Sequence, residues 1–475
     1  MTRKTSEDSY DVIIIGAGLG GLVCGCYLAK AGMKVLICEQ HSRPGGYCTS
    51  FTRHGFHFDA AAHSFGGYRP GGIVRKVAED LELSGRLAVQ RFDPVDVVCF
   101  GDRRISFWAD TERTIDDIGR AFPGSEQQLR GFFTCITRGL SGKWAEMRRW
   151  TFGQLLDLHI QDFRLKAMLS FPLYGDAGLP PCRMSAFIGA RIFHEFLLDG
   201  GYYPEGGMQA LPDALAARFV ELGGSLLLSS RVSSIPVEGR IATGVVLSDG
   251  TRLSGREIIS NADSRLTFIE LLGPGAVPAD FRESLEKLEP SLSLFVLYAG
   301  MKEAVPQLPP GTNIWHMNHA DIELAYSTAC RGDTANVGGY MIRAAPDART
   351  VLGFFNIARC SDEHWAAHKR EVMHAFIRRI ETDSCPGFSE RLSFCEAATP
   401  HTLQRYTANS AGAAYGWACS PDQIGDMRFR IPYFLDNLKL TGHWAMQGLG
   451  IPGVAYAGME TARSLLRRHR TEMRS

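Results

Sequence analysis

Apolar positions change their rhythm along this chain, and the change marks its elements. Residues 12–15 are an unbroken β-branched run, the pattern of a strand buried on both faces. The run meets Gly16-Ala17-Gly18-Leu19-Gly20-Gly21, after which residues 22–31 have a helical composition that stops at Gly32. A second apolar strand, residues 35–38, delivers Glu39. With 51 glycines in 475 residues the spacing G-x-G-x-x-G alone says little; its setting makes the signal. Gly16 permits a tight turn, Gly18 lets the backbone approach a pyrophosphate, and Gly21 lets the helix pack close to the strand. Free N–H groups at the helix N-terminus favour phosphate, and Glu39 can accept hydrogen bonds from a ribose diol. The unit predicts a dinucleotide site.

Beyond it, residues 73–198 read as helix-rich, with amphipathic segments at 128–136 and 154–169. A turn-rich entry at 200–208 leads to a helix near 211–222, which Gly223-Gly224 stops. Residues 225–228, 232–235, 241–247 and 252–254 read as short strands of a small antiparallel unit, with Asp249-Gly250 as a hairpin turn. Residues 258–263 are a strand running into a polar turn. The stretch 267–398 mixes helices and strands, including strands at 292–298 and 351–357. A strand at 438–441 precedes the glycine-rich run 448–453 and a final helix ending in Arg467, Arg468 and Arg470.

Length predicts two or three domains. Lys plus Arg equals Asp plus Glu at 51 each, so there is no electrostatic case for nucleic acid; self-association and membrane contact stay open. Residues 1–9 are polar and give no sign of a signal peptide, and no stretch reaches about 18 uninterrupted apolar residues. Twelve scattered cysteines fit a reducing cytoplasm and read as small buried hydrophobes. Cys24 and Cys26, two apart on a helix, point to different faces, and His54, His57 and His63 lack zinc-ligand spacing, so no metal is expected. Nucleophile-elbow, P-loop and H-E-x-x-H patterns are absent, which leaves the chemistry to a bound cofactor.

Six places in order carry a family resemblance. They are the nucleotide site with Glu39 and Arg43-Pro44-Gly45-Gly46, the run 55–60, the run 203–208, the run 258–263, the segments 398–416, and residues 437–458 with Gly442, Gly450 and Gly453. Together they make the chain resemble the flavin-dependent carotenoid desaturase and isomerase family, which includes phytoene desaturases and retinol saturases. The resemblance implies an α/β chain: a Rossmann-type FAD-binding domain with an inserted α+β substrate domain, the amine-oxidase-like flavoprotein fold. Residues 9–70, 200–266 and 399–470 are expected to form the FAD-binding domain, and 71–199 with 267–398 the substrate-binding cap.

The resemblance also assigns roles. It implies FAD contacts from Gly16, Gly18, Gly21, Glu39, Gly45 and Gly46, from the Val232 backbone, and from Gly442, His443, Gly450 and Gly453. Arg43 reads equally as a cofactor contact or a surface arginine. Relatives often have arginine after the glycine pair, where this chain has Tyr47, and an acid after the first C-terminal glycine, where it has His443. His63 reads as an acid, a base or an orienting group at the flavin edge, or as a structural histidine. Residues 143–152 mix bases and aromatics, suited either to a membrane interface or to a helix covering the substrate domain. The expected activity is desaturation, saturation or isomerisation of an apolar polyene or isoprenoid by hydride exchange at flavin N5, in a cytoplasmic protein with peripheral contact to the inner face of a membrane left open. A flavin amine or metabolite oxidase and a non-catalytic prenyl-lipid-binding module of the same architecture are the alternatives.

Overall fold

The computed structural model describes residues 9–139, 147–273, 275–425, 429–445 and 449–472. β1 (Ser9–Ile15) and β2 (Val35–Cys38) pair in parallel, Val12 opposite Val35, with the helix α1 (Leu19–Lys30) between them in sequence. Every residue of β2 is buried, which is why this strand shows no polar alternation. Strand Arg252–Ser260 lies along the other edge of β1, and Leu438–Leu440 joins it in parallel, Ile258 opposite Leu438. A strand from near the C-terminus therefore completes a sheet begun at the N-terminus. The C-terminal helix Gly450–Glu472 packs against α1, and a Cβ at Gly458 would press on the Gly20 carbonyl.

Strand Ser225–Leu227 departs from expectation: it pairs in parallel with β2 and belongs to this sheet. The antiparallel unit is formed only by Val232–Ser234, Gly244–Leu247 and the first part of Arg252–Ser260. The expected strand 241–247 breaks at Thr243, whose N–H donates to the Pro236 carbonyl.

The second sheet has the order Leu392–Ala398, Ser293–Met301, Thr350–Ile357, Gly339–Ala344, Asn313–Met317, Asp96–Phe100, Arg103–Phe107. All of its pairings are antiparallel except Asn313–Met317 with Asp96–Phe100. Its central strands are buried throughout because both faces are covered. Leu294, Val296 and Tyr298 join the helices of the 111–198 region, whereas Phe295, Leu297 and Ala299 pack with Trp365 and Phe376 of the helix Asp362–Asp383. The hairpin 96–107 lies inside the stretch read as helix-rich. Its turn at Gly101 has φ +60, and its apolar run Val97-Val98 is a strand pattern that only the distant partner Asn313–Met317 makes sense of.

Other differences have local causes. Segment 154–169 is two helices: Phe152–Asp157, closed by a Thr151–Gln154 capping box, and Phe163–Ala177, capped by Asp162. Helix Ile73–Asp80 buries Val74, Val77 and Ala78 with the core around α1, and Phe268, Leu271, Phe281 and Leu285 pack with Ile13 and Ile258. Packing thus carries residues 73–81 and 267–285 to the first sheet, past the expected boundaries at 70 and 266. Residues 143–146 and Gly448 lie outside the described residues. Of the rest of the basic–aromatic segment, Met147 and Phe152 are buried in the core beside the second sheet, so these two cover that sheet and do not face outward. All twelve cysteines are free; Cys24, Cys26, Cys38, Cys48, Cys385 and Cys419 are buried, but Cys182 and Cys330 are exposed, because their segments lie at the ends of surface helices and turns. No described helix is long and apolar enough to cross a membrane.

Candidate functional site

The turn between β1 and α1 is crowded by Asn261, which ends the neighbouring strand. A Cβ at Gly18 would lie 2.7 Å from Asn261 Nδ2, and one at Gly20 would lie 2.8 Å from both Asn261 Oδ1 and Gly442 Cα. At Gly21 a Cβ would collide with the Gly16 carbonyl, so this glycine serves helix–strand packing. Gly442 has φ +77 and touches the same asparagine. Two segments more than 400 residues apart therefore meet backbone to backbone over one side chain, and both line a single cavity with about 2100 Å³ of empty space, its open mouth included.

Glu39 is buried at the end of β2. Its Oε2 accepts from Ala17 N–H (2.7 Å) and its Oε1 from His41 N–H (2.9 Å), so the carboxylate is held in place facing the cavity. No side chain caps the N-terminus of α1, which leaves its first N–H groups to the cavity. Gly45, Gly46, Val232, His443, Gly450 and Gly453 line the same cavity. Arg43 does not: it is exposed, and its guanidinium donates to the Ser50 carbonyl at 3.0 Å.

Other motif segments brace this lining. Asp59 accepts from Tyr203 Oη at 2.6 Å and from Met208 N–H at 2.9 Å, joining the 55–60 and 203–208 runs. Asp263 accepts from Ser410 N–H at 2.7 Å, and Asn409 accepts from Trp444 Nε1 at 2.9 Å, which ties the 258–263 turn to the C-terminal loop. The Tyr47 hydroxyl donates to the Ala413 carbonyl at 3.0 Å, with its ring 6.3 Å from that of His443. Tyr47 thus takes a structural place beside the cavity.

The cavity also carries an apolar lining of Ile188, Ile192, Leu294 and Phe354, with His63, Asp176, Arg191, Glu195 and Tyr415 among its polar residues. His63 Nδ1 lies 3.3 Å from the Ala61 carbonyl, its Nε2 has no partner, and its ring is 5.6 Å from Phe354. Burial, with help from the positive charge of Arg343, lowers His63 to about 3, and burial lowers His443 to about 4. Both are neutral at pH 7. Asp176 and Tyr415 carried no expectation from the sequence. A signal existed: Asp176 is the lone charged residue between Ala167 and Gly178, a segment otherwise buried.

The two histidines predict a pH effect on stability. In the unfolded chain each protonates near 6.5, and in the folded protein only near 3 to 4. Stability present above pH 6.5 is therefore lost as pH falls toward 4. The thermal midpoint should drop over that window, and the double variant His63→Gln, His443→Gln should show a shallower drop. An unchanged slope in circular dichroism melts would contradict the assignment.

Comparison with known proteins decides the family. The flavin containing amine oxidoreductase model matches residues 19–466. The chain belongs to this family. Prolycopene isomerase of Arabidopsis thaliana is 27% identical, covering 97% of this chain and 83% of the isomerase. The 4,4'-diapophytoene desaturase of Methylomonas is 28% identical over 98% of this chain and 96% of its own length. All-trans-retinol 13,14-reductase of Danio rerio is 25% identical over 93% and 83%. Cyclohexylamine oxidase of Brevibacterium oxydans superposes with a TM-score of 0.62 at 18% identity, covering 98% of this chain and 100% of the oxidase, and so shares the fold. The protein is an FAD-dependent enzyme with a Rossmann-type first sheet, and its similarity to carotenoid desaturases and isomerases holds across nearly the whole chain.

Proposed function

We propose that FAD lies along this cavity, with its ribose on Glu39, its pyrophosphate at the N-terminus of α1 between Gly16, Gly18 and Gly46, and its flavin end beside Gly442, His443 and the start of the C-terminal helix. The fit rests on the glycine cradle that any Cβ at Gly20 would fill, on the uncapped helix end and on the buried carboxylate. When bound, the flavin supplies hydride exchange with a substrate carbon at N5. The pieces 9–70, 200–266 and 399–470 form the cofactor-binding part, extended by the helices that pack on it. The remainder encloses the substrate.

That substrate is an apolar polyene or isoprenoid. The observation that carries this reading is the apolar part of the cavity lining, Ile188, Ile192, Leu294 and Phe354, which a substrate would face. Such walls orient a hydrocarbon chain by shape and exclude water from it. The names of the relatives, which specify prolycopene, 4,4'-diapophytoene and all-trans-retinol, support the same class. The test is to add a panel of polyenes and a panel of amines to the purified holoenzyme without oxygen and to follow both flavin absorbance and product chromatography, starting from oxidised and from reduced enzyme. Conversion of polyenes alone is expected; bleaching by amines alone would overturn the reading.

A further inference from the structure

We propose that Asp176 is the proton donor to a double bond of the substrate, which makes the reaction a saturation or an isomerisation. This rests on the polyene reading above and on the placement of one side chain. Asp176 is the next-to-last residue of helix Phe163–Ala177, whose face packs so closely on the second sheet that a Cβ at Gly175 would collide with the Trp315 ring. That packing fixes the end of the helix against the cavity wall, and Asp176 lines the cavity among Ile188, Leu294, Phe354 and Tyr415.

Two observations favour the protonated form of its carboxyl group. Among the described residues no arginine, lysine or backbone N–H is paired with it. The buried Arg343 acts on His63 and Asp96, and Arg191 and Glu195 line the same cavity, but neither arginine is paired with Asp176. Asp96, on the neighbouring strand, is itself buried and accepts from Asn313 Nδ2 at 3.0 Å and from Trp315 Nε1. Tyr415 is neutral and uses its hydroxyl to donate to the Gly175 carbonyl at 2.8 Å. His63, across the cavity, is neutral as well. Burial and the nearby Asp96 push Asp176 well above the ordinary carboxylate range, in the way that apolar surroundings keep carboxylic acids protonated at neutral pH in other enzymes. A substrate in the cavity removes the remaining water and strengthens the effect.

The step balances as follows. The O–H bond of Asp176 breaks and the π pair of a double bond forms a new C–H bond with that proton, leaving positive charge spread along the conjugated chain. In saturation, flavin bound in its reduced state would supply, as a two-electron donor, the hydride that discharges the charge. In isomerisation the bond rotates, and one of the two hydrogens then on the protonated carbon returns as a proton to the carboxylate, so that the original hydrogen can be replaced. After saturation the carboxylate regains a proton from water through the open mouth of the cavity. Desaturation needs a base at this position, and a protonated Asp176 has no lone acceptor strong enough to serve.

The variant Asp176→Asn keeps shape and neutrality, so folding and FAD content should be unchanged. With a converted polyene, kcat should fall by about 100-fold or more, with KM little changed. Wild-type product made in deuterium oxide should carry solvent deuterium at an olefinic or newly saturated carbon. Independently of turnover, the infrared spectrum of the wild-type holoenzyme should show a protonated-carboxyl C=O band that shifts in deuterium oxide and is missing from Asp176→Asn. If the wild type converts polyenes while the variant keeps its kcat within about twofold, the role of Asp176 fails and the substrate reading stands. If no polyene is converted, the substrate reading fails, and this inference with it. Absence of the infrared difference overturns the protonated carboxyl whatever the substrate.

Discussion

Glu39→Ala should yield a colourless protein. The carboxylate holds two backbone N–H groups, those of Ala17 and His41, at 2.7 and 2.9 Å, and it is buried. Alanine removes the proposed ribose acceptor and leaves two amide donors without a partner inside the turn that shapes the pyrophosphate end. Hydrogen bonds to a charged group are each worth about 1.5–3 kcal/mol, so the loss of one or two weakens FAD by about 10-fold to 10,000-fold. The measurement is the ratio of flavin to protein absorbance after dialysis, with titration of FAD back into the apoprotein. Glu39→Gln should fall between the two, since it retains an acceptor without the charge. A yellow Glu39→Ala protein with wild-type affinity would place the ribose elsewhere.

Gly66→Ala should be the most damaging methyl group that can be added beside the cavity. A Cβ there would collide with the Glu195 carbonyl and the Phe196 backbone. Neither can retreat. Gly67 N–H donates to that same carbonyl at 2.8 Å and to Asp199 Oδ2 at 2.9 Å, and Arg69 binds Glu195 at 3.0 Å and Asp199 at 3.3 Å. The segment Phe193–Leu197 is a π-helical turn, so the wide turn and the small residue fit each other. Overpacking against flexible side chains costs about 1–3 kcal/mol; against pinned backbone the cost should reach the top of that range or exceed it. Thermal melts of holoprotein should show it as a lower midpoint with early loss of flavin. Gly206→Ala, at a glycine with no neighbour within 4 Å but φ +87, is the control: it should lose only about 1 kcal/mol, from backbone strain.

The proposed nucleotide half of the site was legible from residues 12–39 because its pattern is local: strand, turn, helix, strand and acid follow one another within thirty residues. The C-terminal half was legible only through family resemblance. Nothing in the composition of residues 438–453 says that Gly442 touches Gly20, since that contact depends on a strand pairing across the whole chain. The hairpin 96–107 was hidden for the same reason. Its pattern is short and surrounded by helices, and its partner Asn313–Met317 is more than two hundred residues away. Arg43 and Asp176 show the limit for single side chains. The motif named Arg43, yet its chain turns outward to Ser50, whereas no motif named Asp176, and the packing of Gly175 on Trp315 delivers it to the cavity.

The pairing of Leu438–Leu440 with Arg252–Ser260 also governs the order of assembly during synthesis. A nascent chain on the ribosome can form β1, α1 and β2 early, but Gly442 and the helix after it emerge hundreds of residues later. Until then the groove over Gly20 lacks its second wall and Asn261 lacks one of its neighbours. If FAD occupies the proposed cavity, its capture is therefore a late event, expected only after the C-terminal strand has paired. Cells short of riboflavin should accumulate this protein in a protease-sensitive form, because the ligand that would close the two walls on each other arrives last.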